Sequence, residues 1–349
     1  MSGEFDIELP LLLEAIHQKY SYDFRRYATS SLKRRLEQAL EDFDCLSLSA
    51  LQERVLREPE VMHGLLAHLT VQVSEMFRDP GFYRALREKV VPYLRTYPSL
   101  KVWIPGCGTG EEVYSVAILL REEGLLDHTL IYATDINPEA LRKAEAGIYE
   151  LDRIADFSKA YCEAGGRASL SNYYTAGYNA AVFDKTLREG VLFSDHSLAT
   201  DSVFAEVQLV TCRNVLIYFD RVLQDRAVAL FRDSLCRKGF LGLGAKETLS
   251  FSILTAEFTE FVREERIYQR RCCQNDGQGH PTGRAPSPGG CPYRGLRRSD
   301  RGCLPPAGDT PGRLRDSHRR ACSSAQAQAE RPWRGPVREV PACPAWAAG

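Results

Sequence analysis

A glycine-rich turn stands between a short apolar strand and an amphipathic helix in the first half of the chain. The predicted strand is 101–104, the turn is 105–110, and the helical pattern covers 111–123. A second predicted strand at 129–134 and a helix at 138–146 repeat the alternation. Strands that alternate with helices form parallel sheets covered on both faces. The pattern therefore predicts an α/β fold with a Rossmann-like sheet, whose ligand would lie near the first strand–helix turn.

The alternation is interrupted once and then resumes. Predicted strands at 207–211 and 239–243 flank a predicted helix at 224–236. Residues 147–192 break the pattern with Gly165-Gly166, several tyrosines and short β-prone pieces. We therefore expect a small inserted β-subdomain at about 147–192.

The front of the chain follows helical rather than strand periodicity. Apolar stripes over 7–20 and 27–43 are typical of amphipathic helices, and shorter helical stretches follow. We expect an N-terminal all-helical domain over 1–95, ahead of a catalytic domain over 96–271.

The last 78 residues, 272–349, differ in composition from the rest. They hold 11 of the 18 prolines and 12 arginines, but no lysine, isoleucine or phenylalanine. So little apolar surface cannot offset the entropy of ordering, and we predict a disordered Arg/Pro/Gly-rich tail. A GC-rich coding strand read out of frame gives the same composition, so a frameshifted extension is a further hypothesis, and a basic interaction tail is the alternative. No metal is expected, because Cys272, Cys273, Cys291 and Cys303 lack paired C-x-x-C spacing.

The charge balance argues against several classes of function. Forty-five Lys and Arg against 46 Asp and Glu give a formal net charge of −1, which disfavours a nucleic-acid or membrane-surface binder. No apolar run approaches the roughly 18 residues of a membrane span. The acidic start over 1–10 does not resemble a secretory signal. We expect a cytoplasmic monomer with no membrane insertion.

The glycine turn, together with the carboxyl end of the second predicted strand, suggests a nucleoside ligand. Gly106, Gly108 and Gly110 let the backbone approach a ligand, but they lack the G-x-G-x-x-G spacing of a dinucleotide site. Glu111 follows, and a carboxylate there would repel a pyrophosphate but not a cation. Asp135 ends the second strand, where its carboxylate can accept hydrogen bonds from ribose hydroxyls. Together these residues favour S-adenosylmethionine (SAM) over NAD, although a tight turn without a ligand and an N-cap role for Asp135 are the structural alternatives.

Polar and aromatic residues follow the 207–211 strand. Arg213, Asn214 and Tyr218 could supply a carboxylate partner, amide hydrogen bonds and an aromatic face beside a sulfonium methyl group. Core packing is the alternative role of Tyr218. The sequence holds no Asn/Asp-Pro-Pro-Tyr segment, which an amino-methyltransferase would use.

As a set, five motifs resemble the CheR-type chemotaxis receptor methyltransferases, which are SAM-dependent protein-glutamate O-methyltransferases. The resemblance covers about residues 5–271. The motifs are Val73-Ser74-Glu75-Met76-Phe77-Arg78-Asp79-Pro80, Cys107-Gly108-Thr109-Gly110-Glu111-Glu112-Val113-Tyr114-Ser115, Ala133-Thr134-Asp135-Ile136-Asn137, Cys212-Arg213-Asn214-Val215-Leu216-Ile217-Tyr218-Phe219-Asp220 and Leu243-Gly244-Ala245-Lys246-Glu247.

The resemblance implies which residues hold the cofactor and which face the reaction. Tyr218 would lie beside the reacting methyl group, and Arg95 would lie near the acceptor. The implied cofactor-binding residues, which include the three glycines of the turn, are Gln72, Ser74, Arg78, Gly106, Gly108, Gly110, Glu111, Asp135, Ser197, Leu198, Arg213 and Asn214.

The implied partner is the cytoplasmic helical bundle of a chemoreceptor, whose glutamates would be methylated for sensory adaptation. The basic run Arg25, Arg26 and 33–35 could steer an acidic receptor helix, or it could be a solvated helix face. No exposed aromatic platform accompanies these charges, so no nucleic-acid partner is expected. Two other functions stay open: a non-catalytic SAM-binding signalling module, and a small-molecule or RNA methyltransferase on the same fold.

Overall fold

The computed structural model describes residues 2–70 and 74–271. Four helices form its front, and Ser47 caps the third by accepting a hydrogen bond from the amide of Ala50 at 3.2 Å. These helices are α1 (Ser2–Tyr20), α2 (Thr29–Asp42), α3 (Leu48–Arg57) and α4 (Pro59–Leu69). Their apolar faces share one core, which includes the fully buried Leu12, Ile16 and Leu36. The predicted all-helical domain is present.

Helix α5 (Pro80–Ala85) continues through a π-helical turn (Leu86–Val90) into α6 (Val91–Leu94). The buried side chains of this continuous helix pack into the core of the sheet rather than against α1–α4. The chain thus changes from one core to the other between Leu69 and Met76, earlier than the boundary expected at residue 95.

The rest of the described chain supplies four further α-helices, six short 3-10 helices and ten strands. The helices are α7 (Glu111–Glu122), α8 (Pro138–Ala146), α9 (Ile154–Glu163) and α10 (Arg221–Ser234). The strands are β1 (Leu100–Pro105), β2 (Thr129–Asp135), β3 (Ile148–Glu150), β4 (Tyr174–Gly177), β5 (Ala180–Phe183), β6 (Val191–Asp195), β7 (Val207–Cys212), β8 (Leu235–Leu243), β9 (Phe258–Val262) and β10 (Ile267–Arg270).

The main sheet has seven strands in the order β6-β2-β1-β7-β8-β10-β9. The first five are parallel, and β10 and β9 add an antiparallel edge. Strand β1 lies in the middle of the five parallel strands, where Val102, Trp103 and Ile104 are buried, as in a sheet covered on both faces. The chain builds outward from β1 to β2 and β6 and then returns to place β7 on the other side of β1. That reversal opens a crevice beyond the carboxyl ends of β1 and β7, where open α/β sheets bind ligands.

The predicted insertion is a small antiparallel sheet in the order β3-β5-β4, accompanied by α9. It lies between α8 and β6 in the chain. Its expected end at residue 192 overlaps β6, because β6 pairs with β2 from Val191 onward and belongs to the main sheet. The fold class expected from the sequence is confirmed, whereas the predicted tail at 272–349 lies outside the described residues. Within residues 2–70 and 74–271, no helix combines the length and apolarity that a bilayer span needs.

Candidate functional site

A deep pocket lies at the carboxyl edge of β1, β2 and β7, in the crevice between the sheet and the front helices. The side chains and backbone that line it come from both domains. They are Tyr27, Arg35, Leu69, Thr70, Ser74, Glu75, Arg78, Gly106, Cys107, Gly108, Glu112, Asp135, Ile136, His196, Leu198, Arg213, Asn214, Val215, Tyr218 and Phe219.

The floor of the pocket is the glycine turn after β1. Gly106 has φ +67°, and a Cβ on it would lie 2.5 Å from Cγ2 of Val215, so the turn and the 213–218 loop approach each other only because this residue is glycine. Gly108 has φ +53°, and its amide donates to Asp135 Oδ2 at 2.9 Å. Gly110 does not line the pocket. It precedes α7 and packs against Ala144 of α8, so its role is structural.

Asp135 ends β2 and faces the pocket while nearly buried. Its Oδ1 accepts the amide of Asn137 and its Oδ2 accepts the amide of Gly108, both at 2.9 Å. Burial raises the pKa of this carboxyl above its ordinary value, and these backbone donors oppose the rise. Each carboxylate oxygen has two lone pairs, so both can accept a further hydrogen bond from a ligand.

The two adjacent acids of α7 point in different directions. Glu111 is fully buried, accepts from Arg153 at 3.0 Å and from the Thr109 hydroxyl at 2.7 Å, and does not line the pocket. Glu112 does line it, and its Oε1 is buried without a hydrogen-bond partner among the described residues. Burial raises the pKa of Glu112 to about 7, against the lowering influence of Arg213, 4.0 Å away. Glu112 is therefore the acid of this pair that can meet a ligand, in place of the expected Glu111.

Arg213 ties the linker between the domains to the edge of the sheet. Its side chain is buried, pairs with Asp79 at 2.8 Å, donates to the carbonyl of Arg78 at 2.8 Å, and lies over the ring of Phe82. These contacts hold Arg78 at the pocket, and Ser74, whose carbonyl accepts a hydrogen bond from Arg153, lines it as well; both were expected there. Arg213 thus lines the pocket, but several of its N–H donors already form hydrogen bonds within the protein.

The loop after β7 is held from beneath by a buried carboxylate. Glu247 accepts the amides of Gly244 at 2.7 Å, Val215 at 2.9 Å and Asn214 at 3.0 Å. Asn214 has φ +61°, a left-handed conformation that is uncommon outside glycine. Glu247 therefore fixes the shape of the loop that presents Asn214 and Tyr218 to the pocket.

The front helices close the other side of the pocket. Tyr27 forms an isolated antiparallel bridge with Phe219, and the amide of Ala28 donates to the carbonyl of Tyr218 at 2.8 Å. The guanidinium carbon of Arg35 lies 4.5 Å from the centroid of the Tyr218 ring. The helical domain is thus part of the site.

The basic run of the front helices does not form one exposed face. Arg25 pairs with Glu14 and Asp23, Arg26 with Asp220, and Lys33 with Asp6. Arg34 is exposed, whereas Arg35 turns inward to the pocket. The charges that the sequence suggested for steering are therefore largely paired.

Nine of the expected site residues meet at this pocket. They are Ser74, Arg78, Gly106, Gly108, Asp135, Leu198, Arg213, Asn214 and Tyr218. Ser197 is turned toward its own loop, where its hydroxyl accepts the amide of Ala199, and the neighbouring His196 lines the pocket instead. Gln72 lies outside the described residues.

Arg95 is away from the pocket. Its half-exposed side chain pairs with Glu123 at 2.6 Å, next to the carboxyl end of α7, whereas the glycine turn meets the opposite end of that helix. An acceptor at Tyr218 could not reach Arg95. Arg35, Tyr27, Glu75 and Glu112 line the pocket without having been expected there. Glu75 and Glu112 stood inside quoted motifs, whereas a helical stripe and a basic run were the signals at Tyr27 and Arg35.

Comparison with known proteins shows two matching family models and several relatives. Residues 72–263 match the SAM binding domain of CheR methyltransferase, and residues 7–70 match its all-alpha domain. A Pseudomonas putida relative, named as methyltransferase Cher3, is 58% identical over 76% of this chain and 97% of its own. The chemotaxis protein methyltransferase of Listeria innocua is 27% identical over 65% of this chain and 84% of its own. That of Salmonella typhimurium is 29% identical over 57% of this chain and 67% of its own.

Proposed function

The chain belongs to the CheR methyltransferase family, and we propose that it transfers the methyl group of SAM to glutamate carboxylates on a chemoreceptor. The acceptors would be glutamates on the receptor's cytoplasmic helices, and the resulting methyl esters would serve sensory adaptation. The protein would then act in the cytoplasm. SAM is the cofactor of the family, and methylation in chemotaxis is the activity for which its members are named.

The donors and acceptors of the pocket fit SAM. Glu112 Oε1, buried and unpartnered within the described residues, is an acceptor for the ammonium group of the methionine moiety. Asp135 retains lone pairs for ribose hydroxyls. Gly106 lets the turn lie against Val215, an approach that a Cβ would prevent, and so keeps the backbone floor of the pocket in place. A set of carboxylates around a cradle of backbone suits a cationic nucleoside better than a pyrophosphate.

The reaction places modest demands on the protein. When bound, SAM supplies a sulfonium methyl group, whose carbon–sulfur electron pair returns to sulfur as the acceptor oxygen forms its bond to the methyl carbon. A glutamate with a pKa of about 4.3 is already ionised at neutral pH, so the pocket needs no general base. What the side chains contribute is alignment and exclusion of water. Tyr218 and Asn214 stand on a loop fixed by Glu247, and Tyr27 and Phe219 shield one wall.

One observation favours a macromolecular acceptor over a small molecule. The all-helical domain contributes Tyr27, Arg35, Leu69 and Thr70 to the same pocket as the glycine turn. A protein segment that docks on those helices would therefore deliver its side chain directly beside Tyr218. A small-molecule acceptor would require no second domain in the wall.

The test is methyl transfer from radiolabelled SAM to chemoreceptor-containing membranes of the source organism. Carboxyl methyl esters release volatile methanol in mild alkali, whereas N-methyl groups do not. We expect base-labile label on receptor bands, and strongly reduced label with the Asp135→Asn variant, whose cofactor site is damaged. The exposed Asp152→Asn is the matched control and should behave as the wild type.

Two results would contradict the proposal. Tight binding of S-adenosylhomocysteine without any receptor labelling would favour a non-catalytic cofactor-binding module. Label that resists alkali, or that appears on small molecules or RNA, would assign a different acceptor class.

A further inference from the structure

Four large apolar side chains are exposed beside the loop that presents Tyr218. They form an apolar patch around the start of α10 and on the loop after β8, and they are Ile217, Val222, Phe251 and Ile253. Phe251 is 73% exposed and Ile253 is 81% exposed. Single exposed apolar side chains are common, but several in one place next to a site indicate a surface that meets a partner.

The loop that carries Phe251 and Ile253 is anchored to the protein. Between these two residues, the hydroxyl of Ser252 donates to Oδ1 of Asp225 on α10 at 2.7 Å. Two residues before Phe251, the side chain of Leu249 is buried in one of the cores of the sheet. The loop therefore turns Leu249 inward and holds Phe251 and Ile253 outward.

A cleft of about 230 Å³ opens within the apolar patch. Ile217 and Phe251 form parts of its wall, and Leu216 and Val228 supply further apolar lining. An apolar cavity of roughly 150 Å³ holds a benzene molecule. The cleft therefore has room for one large apolar side chain of a partner.

The rim of the cleft presents positive charge. Lys246 is exposed there, and the Arg221 guanidinium lies over the Phe251 ring, 5.9 Å from its centroid. The two acids of the cleft are engaged within the protein, Asp225 with Arg221 and Glu247 with backbone amides. A partner that carries an acidic residue beside an apolar one would complement this surface. A second copy of the chain would not, because a two-fold contact would bring two positive rims together.

The patch is continuous with the position of the methyl acceptor. Ile217 lines the cleft, and Tyr218, the next residue, lines the cofactor pocket. Side chains three or four residues apart on a helix share a face, and each turn advances about 5.4 Å. An acceptor helix that delivers its glutamate to Tyr218 would therefore carry a residue one or two turns away across Ile217 to the cleft.

We propose that the apolar patch docks the acceptor helix, with a large apolar side chain of that helix in the cleft and an acidic side chain against Lys246. The inference rests on the proposed function and deepens it, because it assigns part of acceptor recognition to the catalytic domain. The docked apolar residue would lie about three to seven positions from the methylated glutamate, on the same helix face. The patch would thus select among glutamates, since only those with such a neighbour gain its contact.

The experiment measures methylation of a soluble cytoplasmic chemoreceptor fragment by the full chain, with kcat and the KM for the fragment determined separately. We expect the double variant Phe251→Ser/Ile253→Ser to raise this KM by about tenfold or more, as for the loss of buried apolar contacts. Lys246→Gln should raise it by about threefold and weaken its dependence on salt. Both kcat and S-adenosylhomocysteine affinity should stay close to those of the wild type, because none of the three side chains lines the cofactor pocket.

Leu46→Ser is the matched control and should leave the KM unchanged. Leu46 is also a fully exposed apolar residue, but it lies on the loop between α2 and α3, outside the patch.

A matching change in the fragment tests the contact itself. Serine in place of the apolar residue one or two turns from the acceptor glutamate should raise the KM of the wild type. The same fragment should have little further effect on the KM of Phe251→Ser/Ile253→Ser, because effects of two groups that touch are not additive.

An unchanged KM in Phe251→Ser/Ile253→Ser, while the wild type methylates the fragment, would overturn this inference alone. A loss of kcat or of S-adenosylhomocysteine affinity with an unchanged KM would reassign the loop to supporting Tyr218. A wild-type dimer in sedimentation that the double variant turns into a monomer would assign the patch to a second copy of the chain. A wild type that binds S-adenosylhomocysteine but methylates no fragment would overturn the proposed function as well.

Discussion

Arg35 and Tyr218 belong to different domains, yet the guanidinium of one stacks on the ring of the other at 4.5 Å. Two backbone hydrogen bonds run beside this stack. The amide of Ala28 donates to the carbonyl of Tyr218, and the amide of Asp220 donates to the carbonyl of Arg26, both at 2.8 Å. The placement of Tyr218 is therefore set by the helical domain as much as by the sheet.

Replacing Tyr218 with phenylalanine should separate binding from turnover. The ring and its stack on Arg35 would remain, so S-adenosylhomocysteine affinity should stay within about twofold of the wild type. Loss of the hydroxyl should lower kcat by about tenfold, as expected for one hydrogen bond made in the transition state. Calorimetry and single-turnover methyl transfer measure the two quantities. An unchanged kcat would show that the hydroxyl does not contact the reacting groups.

The Ala28 amide offers a way to loosen Tyr218 without touching a side chain. Ala28 has φ −59°, which proline adopts readily. Ala28→Pro would remove the N–H that donates to the Tyr218 carbonyl and would put the proline Cδ against that oxygen, so the loop would have to move away, whereas Ala28→Gly would keep the hydrogen bond. We expect kcat for the proline variant to fall by about tenfold relative to the glycine variant, with a lower Tm because the loop is displaced. Equal kcat in the two variants would mean that this hydrogen bond does not position Tyr218.

Cofactor affinity should depend on pH through Glu112. Burial raises the pKa of this carboxyl to about 7, and only its ionised form attracts the ammonium group of the cofactor. Affinity for S-adenosylhomocysteine should therefore rise with pH through neutrality. A group with this pKa gains about tenfold in ionised fraction between pH 6 and pH 8, and calorimetry over that interval should follow it.

The control for this pH dependence is Glu112→Gln, which cannot titrate. Its affinity should be weaker than that of the wild type at pH 8 and nearly flat with pH. A similar slope in both proteins would assign the titration to another group.

Glu247 should be needed for the shape of the 213–218 loop. Glutamine would offer one oxygen and would turn an NH2 group toward amides that require acceptors. We expect Glu247→Gln to lower the free energy of unfolding by about 2 kcal/mol, the scale of a charge-assisted hydrogen bond. Urea unfolding measures this loss. The exposed Glu260→Gln is the control and should be nearly neutral, and a neutral Glu247→Gln would contradict the role assigned to the buried carboxylate.

The parts of the fold that could be predicted from sequence are those with a strong local period. The apolar strands β1 and β2 and the glycine turn between β1 and α7 have such a signal, and so do the front helices. Strand β6 was hidden because it follows the inserted subdomain directly, and its register depends on pairing with β2. Strands β9 and β10 form an antiparallel edge whose partly exposed residues alternate only weakly.

Site residues could be predicted where a motif and a strand end coincide, as at Asp135 and Asn214. The choice between Glu111 and Glu112 could not be made that way. Successive residues on a helix point about 100° apart, and only the packing of α7 against the insertion turns Glu111 toward Arg153. Arg35 was hidden for a related reason, because a run of basic residues does not reveal which of them points inward.

The Tyr27–Phe219 bridge joins the two domains at the wall of the pocket, so the site depends on both domains being inherited together. A recombination event that joined a new helical bundle to the sheet would sever this bridge and leave the 213–220 loop without its outer wall. Front helices and loop must therefore be exchanged together if the offspring is to keep a working site. A helical bundle acquired by recombination would have to rebuild this wall before the site could work.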